Sequence, residues 1–159
     1  MGEFISQEFQ RTLGQMLART ENPHEPLNEI GFLMAQEMKT NIDEGGRPNR
    51  WPESIRVKKT GGQTLRDKGH LQNSMTHLVE GKSVAAGPGG TAQKYAGILA
   101  RGGTIRAKNK PFLKFLIPGV GWIQKKEVTI PPRDFTYQSP EAVLTFGDII
   151  SDFVLGENS

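Results

Sequence analysis

Apolar residues recur at helical spacing near both ends of the chain. Residues 1–44 carry two such stretches, one over residues 3–20 and one that starts at Pro26. Residues 139–155 show the same period, with Ser139 as a favourable N-cap and proline directly after it. The three stripes are Ile5, Phe9, Leu13, Met16 and Leu17; Leu27, Ile30, Met34, Met38 and Ile42; and Ala142, Phe146, Ile149, Ile150 and Phe153. The pattern predicts two N-terminal helices and one C-terminal helix.

Residues 45–75 form a predicted loop-rich linker, because glycine, proline and basic residues replace the apolar period there. Gly45-Gly46 stops the preceding helix, Trp51 and Leu65 are the main apolar anchors, and residues 70–75 predict one helical turn. A long irregular loop in a small domain tends to be functional, or to be disordered until it is bound.

Strand patterns dominate residues 76–133, which form a basic, β-rich region. Gly81-Lys82 is the turn of a predicted hairpin, and further turns are expected at Asn109-Lys110 and at 118–121. A short helix is predicted over residues 91–100. The candidate strands are 76–80, 83–87, 104–107, 112–117 and 122–130. The sequence thus predicts one α+β domain across all 159 residues, with N-terminal helices and a C-terminal helix packed on a small antiparallel β-sheet with long hairpins.

Composition narrows the class of protein. Hydrophobic residues make up 35% of the chain beside 19 glycines and 10 prolines, which suits a modest core with many turns. No apolar run approaches the ~20 residues of a membrane span, and the first residues lack a basic-then-apolar secretory signal. The absence of cysteine excludes disulfides, cysteine–zinc sites and thiol nucleophiles. We expect a protein of the cell interior or of an assembled particle, with no membrane partner.

The net charge of +3 conceals a separation of charge along the chain. Residues 1–44 hold eight acidic and three basic side chains, residues 81–126 hold nine basic and no acidic ones, and residues 134–159 hold five acidic and no basic ones. A basic middle suits contacts with nucleic-acid phosphates. Opposite charges also suit a head-to-tail ring of copies, and a solvated surface neutralised within one fold is the third interpretation.

No pattern in the sequence indicates catalysis or a bound cofactor. Residues 87–92 satisfy G-x-G-x-x-A, but the following hairpins and carboxylate-free stretch do not supply the βαβ unit and acidic residue of a dinucleotide site. His70 and His77 near Asp67 lack a compact metal-ligand spacing, and Ser74 lacks the strained turn of an activated nucleophile. We therefore expect a protein that is not an enzyme and that holds no cofactor and no metal.

Aromatic and basic residues are interleaved over residues 110–126. They are Phe112, Phe115 and Trp122 among Lys110, Lys114, Lys125 and Lys126. Such a mixture can bind single-stranded nucleic acid by stacking. Because alternate side chains of a strand point to opposite faces, an edge hairpin with aromatic residues inside and lysines outside explains the pattern equally well.

Several short motifs follow one another in a distinctive order. They are Arg50-Trp51 after a Gly/Pro turn, the stretch Leu65-Arg66-Asp67-Lys68-Gly69-His70-Leu71-Gln72-Asn73-Ser74-Met75, Tyr95-Ala96 with Gly102-Gly103-Thr104-Ile105, the strand 112–117 with Trp122, and Val128-Thr129-Ile130-Pro131-Pro132-Arg133. The ordered set resembles the phage virion morphogenesis family, which includes tail completion proteins of contractile-tailed phages and the G protein of Mu-like phages. The resemblance covers residues 27–155. It departs from the family at Asp134-Phe135, where proline-phenylalanine is usual, and at residues 97–101, where a histidine-containing sequence is common.

This resemblance implies a structural virion protein of the neck or tail end, acting in tail completion and head–tail joining as part of a homo-oligomeric ring. The implied partners are further copies of the chain, other neck, portal-adaptor or tail-terminator proteins, and, non-specifically, packaged DNA. The implied location is the virion, after assembly in the host cytoplasm. Two alternatives stay open: a capsid or tail assembly factor not retained at the neck, and a basic nucleic-acid-binding module.

Candidate interaction residues come from the linker, the basic region and the closing motif. They are Trp51, Arg101, Arg106, Lys108, Lys110, Lys114 and Arg133. The basic side chains of residues 101–110 are expected to line a lumen for DNA or to contact an acidic partner ring. Arg133, behind two prolines, is expected to hold a carboxylate or a carbonyl. For Trp51, we expect truncation to alanine to impair assembly more than monomer folding.

Overall fold

The computed structural model describes residues 7–157. Its helices are α1 (Gln7–Glu21), α2 (His24–Glu44), α3 (Ile55–Thr60), α4 (His70–Asn73), α5 (Gln93–Arg101) and α6 (Pro140–Leu155), with a 3-10 turn at Gly90–Ala92. Its strands are β1 (Met75–Glu80), β2 (Ser83–Pro88), β3 (Gly103–Arg106), β4 (Leu113–Ile117), β5 (Gly121–Lys125) and β6 (Glu127–Ile130). The fold class is α+β, as predicted.

The predicted long helices are confirmed within the described residues. The proposed start of α1 at residue 3 and the stripe residue Ile5 lie outside them. α2 begins at His24, slightly earlier than predicted, so that Pro26 lies in its first turn. At α6 the Ser139 hydroxyl accepts a hydrogen bond from the backbone N–H of Ala142 (3.2 Å), which is the predicted N-cap.

The core forms where α2 packs against the β1–β2 hairpin and α6. A Cβ added to Gly31 would lie 2.5 Å from Cδ2 of His77, so a side chain at this position would push α2 away from β1. The buried cluster consists of Ala35, Met38, Ile42, Leu71, Met75, Ala92, Ala96 and Phe135. Phe135, which no periodic pattern predicted, is almost fully buried and comes from the segment between β6 and α6.

The strands form three two-stranded antiparallel ribbons instead of one continuous sheet. The β1–β2 hairpin is confirmed with its turn at Gly81-Lys82. Residues 103–130 form one long hairpin, here called the basic arm, in which β3 pairs with β6 at the base and β4 pairs with β5 toward the tip.

Two predictions within the basic arm are wrong. Asn109-Lys110 is not a hairpin turn, because β3 pairs with β6 and not with β4. The backbone N–H of Ala107 donates to the carbonyl of Lys126 (3.0 Å) and Leu113 pairs with Lys125, so residues 108–112 bulge from one side of the arm. For the same reason the predicted strand 122–130 is divided into β5 and β6.

Residues 45–70 are tied to the body by contacts within the chain, such as the ion pair of Arg66 with Asp43 of α2 (2.8 Å), and include the unpredicted helix α3. Ser54 caps α3 by accepting a hydrogen bond from the N–H of Val57 (3.3 Å). The Arg56 guanidinium donates to the carbonyl oxygens of Gln63 (2.7 Å) and Arg66 (2.9 Å). The short α3 escaped prediction because its six residues carry too few apolar positions to show a period.

Candidate interaction surface

The predicted basic residues lie on and beside the basic arm. Arg101 ends α5, Arg106 lies in β3 and Lys114 lies in β4, while Lys108 and Lys110 lie in the bulge. All five side chains are exposed. Arg106 Nε donates to Glu127 Oε2 across the ribbon (2.9 Å), and within residues 7–157 none of the other four has a carboxylate within 4.0 Å.

The ribbon β4–β5 presents an exposed face formed by Lys114, Leu116, Trp122 and Gln124, here called the outer face. Leu116 lies directly opposite Trp122, and these two apolar side chains are 55% and 67% exposed. Lys114 Nζ lies 5.1 Å from the centroid of the Trp122 ring, which is a cation–π distance. An indole this exposed is the kind of anchor that protein interfaces bury.

α6 presents an outward face of opposite charge, here called the acidic face. It consists of Glu141, Leu144, Asp148, Ser151 and Leu155, which recur at helical spacing and are all exposed. Leu144 is 70% exposed. In the described part of the chain, neither Glu141 nor Asp148 has a cation within 4.0 Å.

α1 adds a second exposed apolar stripe. None of its described side chains is buried, and Leu13 and Leu17 are 45% and 59% exposed. Its C-terminal end is fixed to α6, because Arg19 Nη1 donates to the carbonyl of Val154 (3.0 Å). The amphipathic pattern of α1 therefore marks a surface, whereas that of α2 marks the core.

Trp51 lies in the body of the protein, not on the basic arm. It is half-buried and packs against the core cluster, and its backbone N–H donates to the carbonyl of Gly45 (2.8 Å). A Cβ on Gly46 would lie 2.8 Å from the indole, so glycine is required beneath the ring. Trp51 also lines an open cleft of about 990 Å³ formed by residues 43–67.

Arg133 is buried and belongs to the fold. Its Nε and Nη2 atoms both donate to the carbonyl oxygen of Pro52 (3.3 Å each), so of the two expected partners the structure gives the carbonyl. Its backbone N–H donates to the carbonyls of Leu99 and Ala100. Burial lowers the pKa of the guanidinium, which nevertheless stays charged at neutral pH. Arg133 thereby joins the linker, α5 and the segment after β6.

A buried polar network that the sequence did not reveal is centred on Asn41, which is fully buried. Its Nδ2 atom donates to the carbonyls of Phe135 (2.9 Å) and Tyr137 (2.6 Å), and its Oδ1 atom accepts from Arg47 Nε (2.6 Å). No sequence pattern sets Asn41 apart, because all three residues between Met38 and Ile42 are polar.

The network continues to Glu37. Its Oε2 atom accepts hydrogen bonds from Arg47 Nη2 (3.0 Å) and from the backbone N–H of Ser139 (3.1 Å). Burial raises the pKa of Glu37, but the hydrogen bonds from Ser139 and the charge of Arg47 outweigh it and hold the pKa below its ordinary value. The turn after α2 and the start of α6 are thus fixed to α2 together.

Two of the residues considered for chemistry, His77 and Ser74, have structural partners. His77 Nε2 lies 2.9 Å from Asn28 Oδ1, and the Ser74 hydroxyl donates to the carbonyl of Leu71 (2.7 Å). Residues 87–92 begin in the last two residues of β2, a strand of an antiparallel hairpin, and not in a parallel crossover. Across residues 7–157 no group of three or more His, Asp or Glu side chains is placed to hold a metal ion, and no helix is long and apolar enough to cross a membrane.

Comparison with known protein families identifies a match. The model of the phage virion morphogenesis family matches residues 5–154, nearly the whole chain. No curated protein and no solved structure matches.

Proposed function

Because this chain belongs to the phage virion morphogenesis family, we propose that it completes the tail and joins it to the head as a structural protein of the neck or tail end. Membership in the family supports a role in virion assembly. The finer proposal adds a homo-oligomeric ring that contacts other neck, portal-adaptor or tail-terminator proteins in the virion. The role requires binding surfaces and no catalysis, cofactor or metal.

The observation that carries this proposal is the pair of exposed faces with opposite charge. The outer face of the basic arm carries Lys114 with Leu116 and Trp122, and the acidic face of α6 carries Glu141 and Asp148 with leucines. Exposed apolar side chains beside unpaired charges are typical of surfaces that are covered in an assembly. Two different complementary faces on one chain are what a ring of identical copies requires.

The test is electron microscopy of lysates from a phage that carries a nonsense mutation in this gene. We expect DNA-filled heads beside separate tails, since loss of a joining protein leaves both parts intact. Missing or aberrant heads would instead favour an assembly factor that is not retained at the neck. Normal infectious particles would contradict both roles.

Duplex DNA is a second candidate partner, favoured by the exposed cations of the bulge. Lys108 and Lys110 have no carboxylate partner in the described residues, and with Arg106, which is paired with Glu127, they give three exposed cations within five residues of the chain, here called the basic patch. A DNA contact predicts an affinity that falls steeply with salt and ignores sequence, and that is lost when Arg106, Lys108 and Lys110 are all replaced by glutamate. If that triple variant assembles normally into phage, the basic patch is not an essential contact with either DNA or protein.

A further inference from the structure

We infer, resting on the ring proposed above, that the outer face of the basic arm docks on the acidic face of α6 in a second copy of the chain. The contact joins Lys114, Leu116 and Trp122 of one copy to Glu141, Leu144 and Asp148 of the next. This contact specifies which two surfaces of neighbouring copies meet in the ring.

Apolar exposure selects these two faces. Trp122 and Leu144 are 67% and 70% exposed, which is the highest exposure among the large hydrophobic side chains of the described residues. Leu116 extends the apolar strip on the arm, and Leu155 is a second exposed leucine on the same face of α6, about three turns beyond Leu144. Burying an exposed tryptophan against leucines removes a large apolar area from water and gives the central anchor of an interface.

Charge complementarity favours contact between the outer face of one copy and the acidic face of another. The outer face carries one cation, Lys114, and the acidic face carries two carboxylates and no cation. An arm–arm contact would bring lysines together and a contact between two α6 helices would bring carboxylates together, so both symmetric pairings are disfavoured. The remaining pairing is heterologous, and a heterologous contact propagates around a ring.

The same geometry favours protein over nucleic acid as the occupant of the outer face. The Lys114 ammonium lies over the Trp122 ring, where a base would have to stack. The rest of the face consists of aliphatic Leu116 and neutral Gln124. Lys108 and Lys110 lie in the bulge, and Lys125, next to Gln124 in β5, belongs to the opposite face of the ribbon. The outer face therefore offers little that binds phosphate.

Crosslinking tests the contact directly, because the chain has no cysteine of its own. The double variant Leu116→Cys with Leu144→Cys should give a ladder of disulfide-linked multimers on oxidation, while each single variant should give at most dimers. The matched control pairs Leu144→Cys with Leu78→Cys, since Leu78 is similarly exposed (59%) but lies on β1. We expect no ladder from the control.

A second variant pair measures the contribution of the anchor. We expect Trp122→Ala to weaken self-association at least about tenfold, as loss of an interface anchor does, in sedimentation experiments. Phe112→Ala, an exposed aromatic of the bulge, should leave self-association unchanged. Thermal unfolding of both variants checks that the monomer still folds.

The outcomes separate this contact from the proposed function. A protein that forms rings without a ladder from the double-cysteine variant overturns the contact and leaves the proposed role standing. An infectivity defect in Trp122→Ala with normal rings means that the outer face meets another virion protein, and loss of DNA binding with normal rings means that it meets nucleic acid. A protein that stays monomeric, from a gene whose loss leaves phage intact, overturns both proposals.

Discussion

The Asn41 network and the basic arm place polar and apolar groups in opposite ways. In the network, the fully buried Asn41 amide is joined to the half-buried Arg47 guanidinium, which in turn is joined to the half-buried Glu37 carboxylate, by hydrogen bonds of 2.6 and 3.0 Å. In the arm, Trp122 and Leu116 point to solvent beside a lysine. Buried polar groups that are fully hydrogen-bonded stabilise a single fold. Exposed apolar groups, in contrast, are typical of surfaces that a binding partner covers. We therefore expect stability and assembly to depend on different parts of this chain.

Asn41→Ala gives the largest expected effect. It leaves the carbonyls of Phe135 and Tyr137 and the Arg47 guanidinium without their buried partner, and we expect a loss of about 3 kcal/mol in the free energy of unfolding. Denaturant unfolding measures it. Asn109→Ala in the exposed bulge is the control, with a change within about 0.5 kcal/mol. If the two substitutions lowered the free energy of unfolding equally, the buried network would contribute no more to stability than the exposed arm.

Trp51→Ala comes next. The sequence predicted a larger effect on assembly than on folding, but the half-buried indole packs against the core, so we now expect a loss of about 2 kcal/mol in stability. Thermal unfolding and sedimentation of the same sample compare the two effects. If Trp51→Ala keeps its full stability but loses self-association, the original prediction holds and Trp51 belongs to an interaction surface.

Glu37→Gln is expected to cost about 1 kcal/mol at neutral pH, since a hydrogen-bonded carboxylate loses its charge. The pKa of Glu37 is lower in the folded protein than its ordinary value of 4.5. Its contribution to stability is therefore complete above that value and is lost as the pH falls through the folded-state pKa. Unfolding measured from pH 7 to pH 3 should show a weaker acid destabilisation in Glu37→Gln than in the parent. Parallel pH profiles would show that the carboxylate is not coupled to folding.

Trp122→Ala gives the smallest expected change in monomer stability, about 0.5 kcal/mol, which is the contribution of an exposed cation–π pair. Thermal unfolding at low protein concentration measures it apart from self-association. A loss as large as that of Trp51→Ala would show that the arm belongs to the folded core. The arm and the Asn41 network would then both contribute to the stability of the monomer.

Local patterns predicted most elements, because their causes lie within a few residues of one another. The period of α2, the Ser139 cap and the Gly81-Lys82 turn each need only nearby side chains and appear as expected. The arm was mispredicted where pairing is distant, since the partner of β3 is β6 and not the adjacent strand β4. The motifs that resembled the virion morphogenesis family were a stronger guide to function than any single residue.

The candidate surface was predicted only in outline. The sequence placed the basic residues near one another, but it could not tell that Arg133 is buried against Pro52 while Lys114 is exposed beside Trp122. Nor could it tell that Leu13 of α1 stays exposed while Ile42 of α2 is buried, although both lie on regular apolar stripes. Periodicity shows that a face exists, and only the packing of elements decides what covers it.

The sequence by itself determined the α+β class, the order of the helices and the separation of acidic ends from a basic middle, because these depend on spacing and composition along the chain. The tertiary structure decided the pairing of β3 with β6, the burial of Asn41 and the exposure of Trp122. Each of these depends on contacts between residues far apart in the chain, such as the one between Asn41 and Tyr137. Such contacts leave no local period, and only the folded backbone brings their atoms within bonding distance.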